Sequence, residues 1–166
     1  MKYAFLMTAA LMLSPFAASA QTASTTASVN IENYALNIIK LRDLNFGSVI
    51  PSASIDGTMT LSPSGAPSTT SSITYRLNSG YEQASYSISG VPAARVNVTV
   101  APATVTLTSP RGTLTVGNFI LSQASPIVLD GSTGTAFFSI GATLFVNAGQ
   151  LPGNYTGTFD VTVAYN

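Results

Sequence analysis

The residue types that carry out most enzyme chemistry are missing from this chain. Its 166 residues include no histidine, no cysteine and no tryptophan. Catalytic groupings of the Ser-His-Asp or Cys-His kind need an imidazole base, so neither can form. The same absences exclude a zinc–thiolate site, an imidazole-ligated metal and a stabilising disulfide. Catalysis would have to rest on carboxylates or on a lysine.

The carboxylates and the lysine have structural explanations that do not involve catalysis. Asp56 and Asp130 precede glycines in predicted turns, where an aspartate accepts hydrogen bonds from nearby backbone. The other acidic residues lie beside turn or basic residues, on a polar strand face or near the N-terminus: Glu82, Asp43, Asp160 and Glu32. The 130–134 loop lacks the repeated acidic positions of a calcium loop. Lys40 lies in an alternating strand, where we expect it to be solvated. We therefore predict a non-enzymatic protein with no catalytic, cofactor-binding or metal site.

Charged residues are unusually rare. They make up 7% of the chain, against about 25% in typical soluble proteins, and six basic residues balance six acidic ones. The basic residues are scattered, so no patch is available for a nucleic-acid backbone and no nucleic-acid partner is predicted. Weak charge repulsion gives little protection against association. This composition is typical of a chain that works in an assembly or on a surface.

The first twenty residues predict export by a signal peptide spanning 1–20. Lys2 gives a positive start, an apolar run follows at 4–13, and Ala18-Ser19-Ala20 matches the pattern cleaved by signal peptidase. The apolar run is shorter than the roughly 20 residues of a membrane-spanning helix. We expect the mature chain to begin near Gln21 and to be located in the periplasm, on the cell surface or in an extracellular fibre.

The rest of the chain alternates between apolar and polar residues with a period of two, which is typical of half-buried β-strands. The alternation is clearest at 155–165, where Phe159, Val161, Val163 and Tyr165 fall on one face. Further strands are predicted at 35–41, 43–50, 58–62, 72–77, 85–89, 95–101, 103–108, 113–122, 126–129 and 136–146. Turn residues separate them and no amphipathic helix is present. This spacing predicts an all-β antiparallel sandwich or barrel.

Residues 21–33 differ from the strands that follow and are predicted to form an extended N-terminal arm. The segment is small and polar, with a thin apolar stripe at Ala27, Val29 and Ile31. Two interpretations remain open, a frayed terminus and an arm that pairs as a strand. The sandwich domain is predicted at 34–166.

Two segments carry a resemblance to known families. Residues 44–51 (LNFGSVIP) and 153–166 (GNYTGTFDVTVAYN) resemble short secreted bacterial proteins classified as a domain of unknown function. The chain is also similar to chaperone–usher pilus subunits of the spore-coat or archaic type. Such subunits have a Leu-x-Phe-Gly element, here 44–47, a penultimate tyrosine, here Tyr165, and a glycine fourteen positions from the end, here Gly153. The disulfide that is usual in those subunits has no counterpart in this cysteine-free chain.

The pilin resemblance implies an immunoglobulin-like sandwich that lacks one strand. The N-terminal arm of the next subunit completes such a sandwich by strand addition. It implies donor residues Ala27, Val29 and Ile31, and an acceptor groove beside Phe159, Val161, Val163 and Tyr165. It also implies a polymer of this chain or of related subunits, delivered by a periplasmic chaperone and an outer-membrane usher.

Three functions are therefore kept open. The first is a structural subunit of an extracellular fibre or pilus-like assembly joined by strand exchange. The second is a self-complete secreted adhesin or binding module, in which Tyr75, Tyr81 and Tyr86 are candidate sugar contacts, although packing is the favoured role for them. The third is a small outer-membrane β-barrel, suggested by the number of alternating strands and the aromatic residue near the C-terminus.

Overall fold

The computed structural model describes residues 21–31, 34–76 and 79–166. The predicted signal peptide and Glu32 lie outside these residues. The described part of the chain falls into two units, 21–31 and the remainder. Residues 21–31 are exposed and have no regular secondary structure. Within the described ranges, no helix is long and apolar enough to cross a membrane.

The larger unit is all-β, and its described residues form strands and no helix. The strands are β1 Asn37–Arg42, β2 Val49–Ile50, β3 Gly57–Leu61, β4 Pro67–Thr69, β5 Thr74–Tyr75, β6 Ala84–Ser89, β7 Arg95–Ala101, β8 Thr104–Ser109, β9 Gly112–Leu121, β10 Ile127–Val128, β11 Thr135–Val146 and β12 Asp160–Tyr165. All paired strands are antiparallel. The predicted all-β antiparallel class is confirmed.

The seven-stranded sheet is organised around its longest strand, β11. The first half of β11 pairs with β6 and the second half with β3, while β9 pairs along the opposite edge. The path runs β1-β6-β11-β3-β4, and β8 pairs with β9. A second sheet has the order β10-β7-β12, and a two-stranded ribbon joins β2 and β5.

The apolar core lies between the two larger sheets, as in a β-sandwich. Ile88 of the seven-stranded sheet and Val96 of the three-stranded sheet belong to one buried cluster, and both are fully buried. A second cluster surrounds Met59 and Leu144. Phe119 and Phe159 pack against both clusters, with their ring centroids 4.9 Å apart. The alternation in β6 and β7 explains this arrangement, because every second residue faces the core.

Three of the sequence-predicted strands are too long, and one strand was not predicted; of the described residues of 72–77, only Thr74–Tyr75 form a strand. Residues 43–50 form a strand only at Val49–Ile50, and residues 155–165 only at Asp160–Tyr165. In the remaining parts, Asn45 and Thr156 make isolated bridges instead of continuous ladders. Strand β4, which begins at a proline at the edge of its sheet, was missed because proline removes a backbone donor.

Candidate functional site: a free strand edge and an adjoining cleft

Several strands of the sandwich, β1 and β12 among them, have an edge without a hydrogen-bonded neighbour among the described residues. Strand β12 pairs with β7 over its whole length but with no other strand, and β1 pairs only with β6. Side chains from β1 and β12 pack against the same buried cluster. The two free edges therefore border the same part of the core, one from each sheet.

The core is less well covered beside β12 than one strand further in. Val163 lies directly opposite Val98 in the ladder, yet Val98 is buried and Val163 is only half-buried. Val161 is also half-buried, although both valines pack against the core cluster. Of the predicted acceptor residues, the structure thus places Phe159, Val161 and Val163 against the core at an open edge.

A cleft of about 770 Å³ continues this opening beyond the ends of β1 and β12. One wall is the segment 43–51 and the other is the segment 150–157 together with Phe159. The floor is apolar and comes from β8, β9 and β11: Val105, Leu107, Leu114, Val116, Leu144 and Val146. Residues 43–48 of one wall and 155–157 of the other belong to the segments that were wrongly predicted as continuous strands. In these stretches, Asn45 and Thr156 make isolated bridges.

Tyr165 closes the other end of the opening. Its hydroxyl accepts a hydrogen bond from the Val91 amide at 2.9 Å and donates one to the Tyr34 carbonyl at 3.3 Å. A Cβ added to Gly90 would lie 2.5 Å from this hydroxyl and 3.2 Å from Leu36. The tyrosine therefore ties the end of β12 to the segment that precedes β1, and the space there is narrow.

We expect Tyr165→Phe to weaken this closed end without unfolding the domain. The change removes the hydrogen bonds to Val91 and Tyr34 and should cost about 1–2 kcal/mol, since each such bond contributes about 0.5–1.5 kcal/mol. Hydrogen exchange followed by NMR should show faster exchange at the Val91 amide. The Thr162 amide, in the middle of β12, serves as the internal control, and equal acceleration at both amides would contradict a local role.

The side chains of the predicted donor residues are exposed to solvent. Val29 is 85% exposed and Ile31 is 87% exposed, and Ala27 is exposed as well. Burying large aliphatic side chains that are now in water would contribute about 25 cal/mol of stabilisation for each Å² of apolar surface. The segment therefore has apolar side chains available on alternate residues.

Four of the charged residues at or near the cleft form two ion pairs, while Arg76 lines the cleft. Lys40 makes an ion pair with Asp43, and Arg42 makes one with Glu82. Lys40 is exposed, as the sequence predicted. Burial and the nearby Asp43 carboxylate raise the pKa of Tyr86. Within the described ranges, no group of three or more potential ligand residues could hold a metal ion.

Asp130 caps its own turn, as its position before a glycine predicted. Its carboxylate accepts hydrogen bonds from the Ser132 amide at 2.9 Å and from the Thr133 amide at 2.7 Å. The Thr133 hydroxyl donates a third at 2.9 Å. The bonds from Thr133 and Ser132 lower the pKa of Asp130, because they stabilise the charged form.

The three tyrosines considered as sugar contacts are mainly packing residues. Tyr86 is buried and stacks on Phe138 with ring centroids 5.2 Å apart. Tyr75 and Tyr81 meet edge to face at 5.9 Å and pack against the core. The sequence analysis did not identify Phe137, an exposed aromatic residue on the outer face of β11. It stands in the sequence between the small Ala136 and the buried Phe138.

Comparison with known proteins identifies the family of the chain. It belongs to the family described as a domain of unknown function (DUF4402), whose model matches residues 36–165. The match covers nearly the whole sandwich unit. No curated protein and no solved structure matches the chain.

Proposed function

We propose that this member of the DUF4402 family is a non-enzymatic structural subunit of an extracellular fibre, joined to its neighbours by β-strand exchange. In this proposal, the arm of one copy enters the cleft of the next copy and pairs with the free edge of β12. The observation that carries the proposal is this free edge above an incompletely covered apolar core. The pilin resemblance of the two cleft walls supports it.

Strand β12 is a better acceptor than β1 because its edge is unprotected. Natural edge strands are commonly blocked by bulges and by charged side chains. Strand β1 has a register shift between Lys40 and Arg42, and it carries the charged Lys40, whose exposed side chain is paired with Asp43. The inward residues of β12 are Val161 and Val163, and its ladder with β7 has no register shift. An incoming strand can therefore extend the smaller sheet without displacing a charge.

The sizes of the donor side chains favour one direction of entry. Phe46 and Tyr155 line the cleft of about 770 Å³, whereas near Tyr165 a Cβ added to Gly90 would lie 2.5 Å from the tyrosine hydroxyl. The stripe of the arm begins with small residues and ends with Val29 and Ile31. Placing the two large residues in the cleft and the small ones near Tyr165 makes the donor strand antiparallel to β12. The eleven residues 21–31 extend about 36 Å, and the thirteen residues from 153 to 165 extend about 43 Å, so the lengths are compatible.

Export and delivery are parts of the same proposal. The predicted signal peptide would bring the chain to the periplasm, and the fibre would lie at the cell surface. A chain with an open apolar cleft and few charges is prone to unspecific association. We therefore propose a periplasmic chaperone that covers the cleft and an outer-membrane usher that exports the subunits.

The proposal is tested by replacing the two large donor residues in the full-length protein. We expect Val29→Ser combined with Ile31→Ser to abolish surface filaments seen by electron microscopy, because the donor strand loses its apolar anchors. The matched control is Thr26→Ser combined with Ser28→Thr, which changes polar residues of the arm before the anchors and should preserve filaments. Filaments of normal length and number in the first variant would refute strand exchange.

The second open function makes a different prediction for the purified protein. A self-complete binding module should be a stable monomer without a chaperone, with a reversible melt. A strand-exchange subunit should instead form multimers whose size depends on Val29 and Ile31. Size-exclusion chromatography of the mature protein and of the double serine variant distinguishes the two.

A further inference from the structure

We propose that the outer face of the seven-stranded sheet carries a separate binding site for a neutral, β-linked saccharide. This site is a shallow trough along β6 that has serine hydroxyls on its floor and apolar side chains on its walls. It lies on the face of the sheet that points away from the core. It is therefore independent of the cleft and of the proposed strand exchange.

Three serines of β6 form the floor. Ser85, Ser87 and Ser89 alternate with the buried residues Ala84, Tyr86 and Ile88, so the serines face outward. All three are half-exposed. Their small side chains leave a flat row between the neighbouring strands β1 and β11, whose backbones are about 10 Å apart.

The walls are large apolar residues on both sides of this row. Ser87 pairs with Ile39 on one side and with Phe137 on the other. Residues directly opposite in an antiparallel ladder share a face, so all three point outward. Phe137 is 64% exposed, and Leu41, at the register shift of β1, is 53% exposed together with Ile39. The trough therefore has an exposed phenyl ring on one wall and aliphatic groups on the other.

A depression of about 350 Å³ lies at one end of the trough. Its lining combines the Phe137 ring with hydroxyl, amide and guanidinium groups: Ser85, Ser122, Ser139, Gln83 and Arg42. Arg42 is the only charged residue among the described residues that line the depression, and its guanidinium is already paired with Glu82. The site thus offers a flat apolar surface beside several neutral hydrogen-bonding groups.

This combination fits a saccharide better than a protein partner. A β-linked pyranose presents an apolar C–H face to an aromatic ring and hydroxyls around its edge, which match the Phe137 ring and the serines. A protein interface would favour a continuous apolar centre. Here the row of hydroxyls separates Ile39 from Phe137. The pairing of Arg42 with Glu82 favours a neutral glycan.

The test is isothermal titration of the mature protein with cellohexaose, xylohexaose and chitohexaose. We expect at least one of these oligomers to bind, and Phe137→Ser to weaken its binding about tenfold, which is the scale of one lost aromatic contact. The control is Val128→Ser, which removes a 56% exposed apolar residue from β10 and should leave binding unchanged. Ser87→Leu, which fills the floor, should also abolish binding and gives a second measurement if Phe137→Ser does not fold.

Two results would overturn the proposal. The first is that none of the three oligomers binds the wild-type protein at millimolar concentration. The second is that binding is equally affected by Val128→Ser and by the trough variants. The Val29→Ser and Ile31→Ser combination separates this site from the fibre proposal, because it should leave saccharide binding intact even if filaments are lost.

Discussion

Moving residues 21–31 from the N-terminus to a position after Asn166 should produce a monomer that melts about 10–20 °C higher than a matched variant without apolar anchors. A tight turn with an Asp-Gly sequence would let the moved segment return antiparallel to β12. Burying Val29 and Ile31 contributes about 1.5–3 kcal/mol each, and backbone pairing adds to this. In a domain of this size each kcal/mol raises Tm by about 3–5 °C.

The matched variant has the same rearranged order but carries serine at the positions of Val29 and Ile31. Both proteins have the same length and the same linker, so the difference in Tm reports the docking of the anchors alone. Circular dichroism gives the Tm, and size-exclusion chromatography gives the state of association. Equal melting temperatures would contradict the proposal that the free edge of β12 receives this segment. The proposal would be supported if the rearranged protein is a monomer with Val29 and Ile31 and associates when both are replaced by serine.

Alternation made a large part of the fold predictable from the sequence. Strand β7 was predicted with the correct bounds because Val96, Val98 and Val100 face the core while Arg95 and Thr99 face outward. The same logic located β6, β9 and β11 to within a residue at each end. In β6 one face packs on the opposite sheet, so burial has the period of the strand itself, whereas residues 140–144 of β11 are buried one after another.

The parts of the fold that could not be predicted are those in which the presence or absence of a hydrogen-bonded neighbouring strand decides the structure. Residues 43–48 and 155–157 alternate like strands, but each lines the cleft and makes an isolated bridge instead of a continuous ladder. A sequence pattern reports which face is apolar and does not report which edge is paired. The proposed donor and acceptor residues could be named from the pilin resemblance. The position of the cleft and the register shift in β1 required the structure.

A glycine in the middle of β11 illustrates a constraint that alternation does not reveal. Gly141 lies where the neighbour of β11 changes from β6, paired through Ile140, to β3, paired from Ala142 onward. A Cβ at this position would lie 2.2 Å from the Leu61 carbonyl oxygen and 2.7 Å from the Pro63 nitrogen. Both atoms belong to the backbone, so no side chain can rotate away to make room.

We therefore expect Gly141→Ala to destabilise the sandwich by about 3 kcal/mol, at the upper end of the usual overpacking cost. Chemical denaturation at equilibrium, followed by circular dichroism, would measure the change in the free energy of unfolding. The control is Gly131→Ala, because a Cβ at Gly131 has no atom within 4 Å.

If the two variants were equally stable, β3 and β6 would have to move apart easily beside Gly141 to make room for the added methyl group. Such mobility would reach the core beneath the cleft, since Leu61 and Ile140 are both fully buried. A large loss for Gly141→Ala alone would instead indicate a rigid sheet that holds the floor of the cleft in place before any strand enters it.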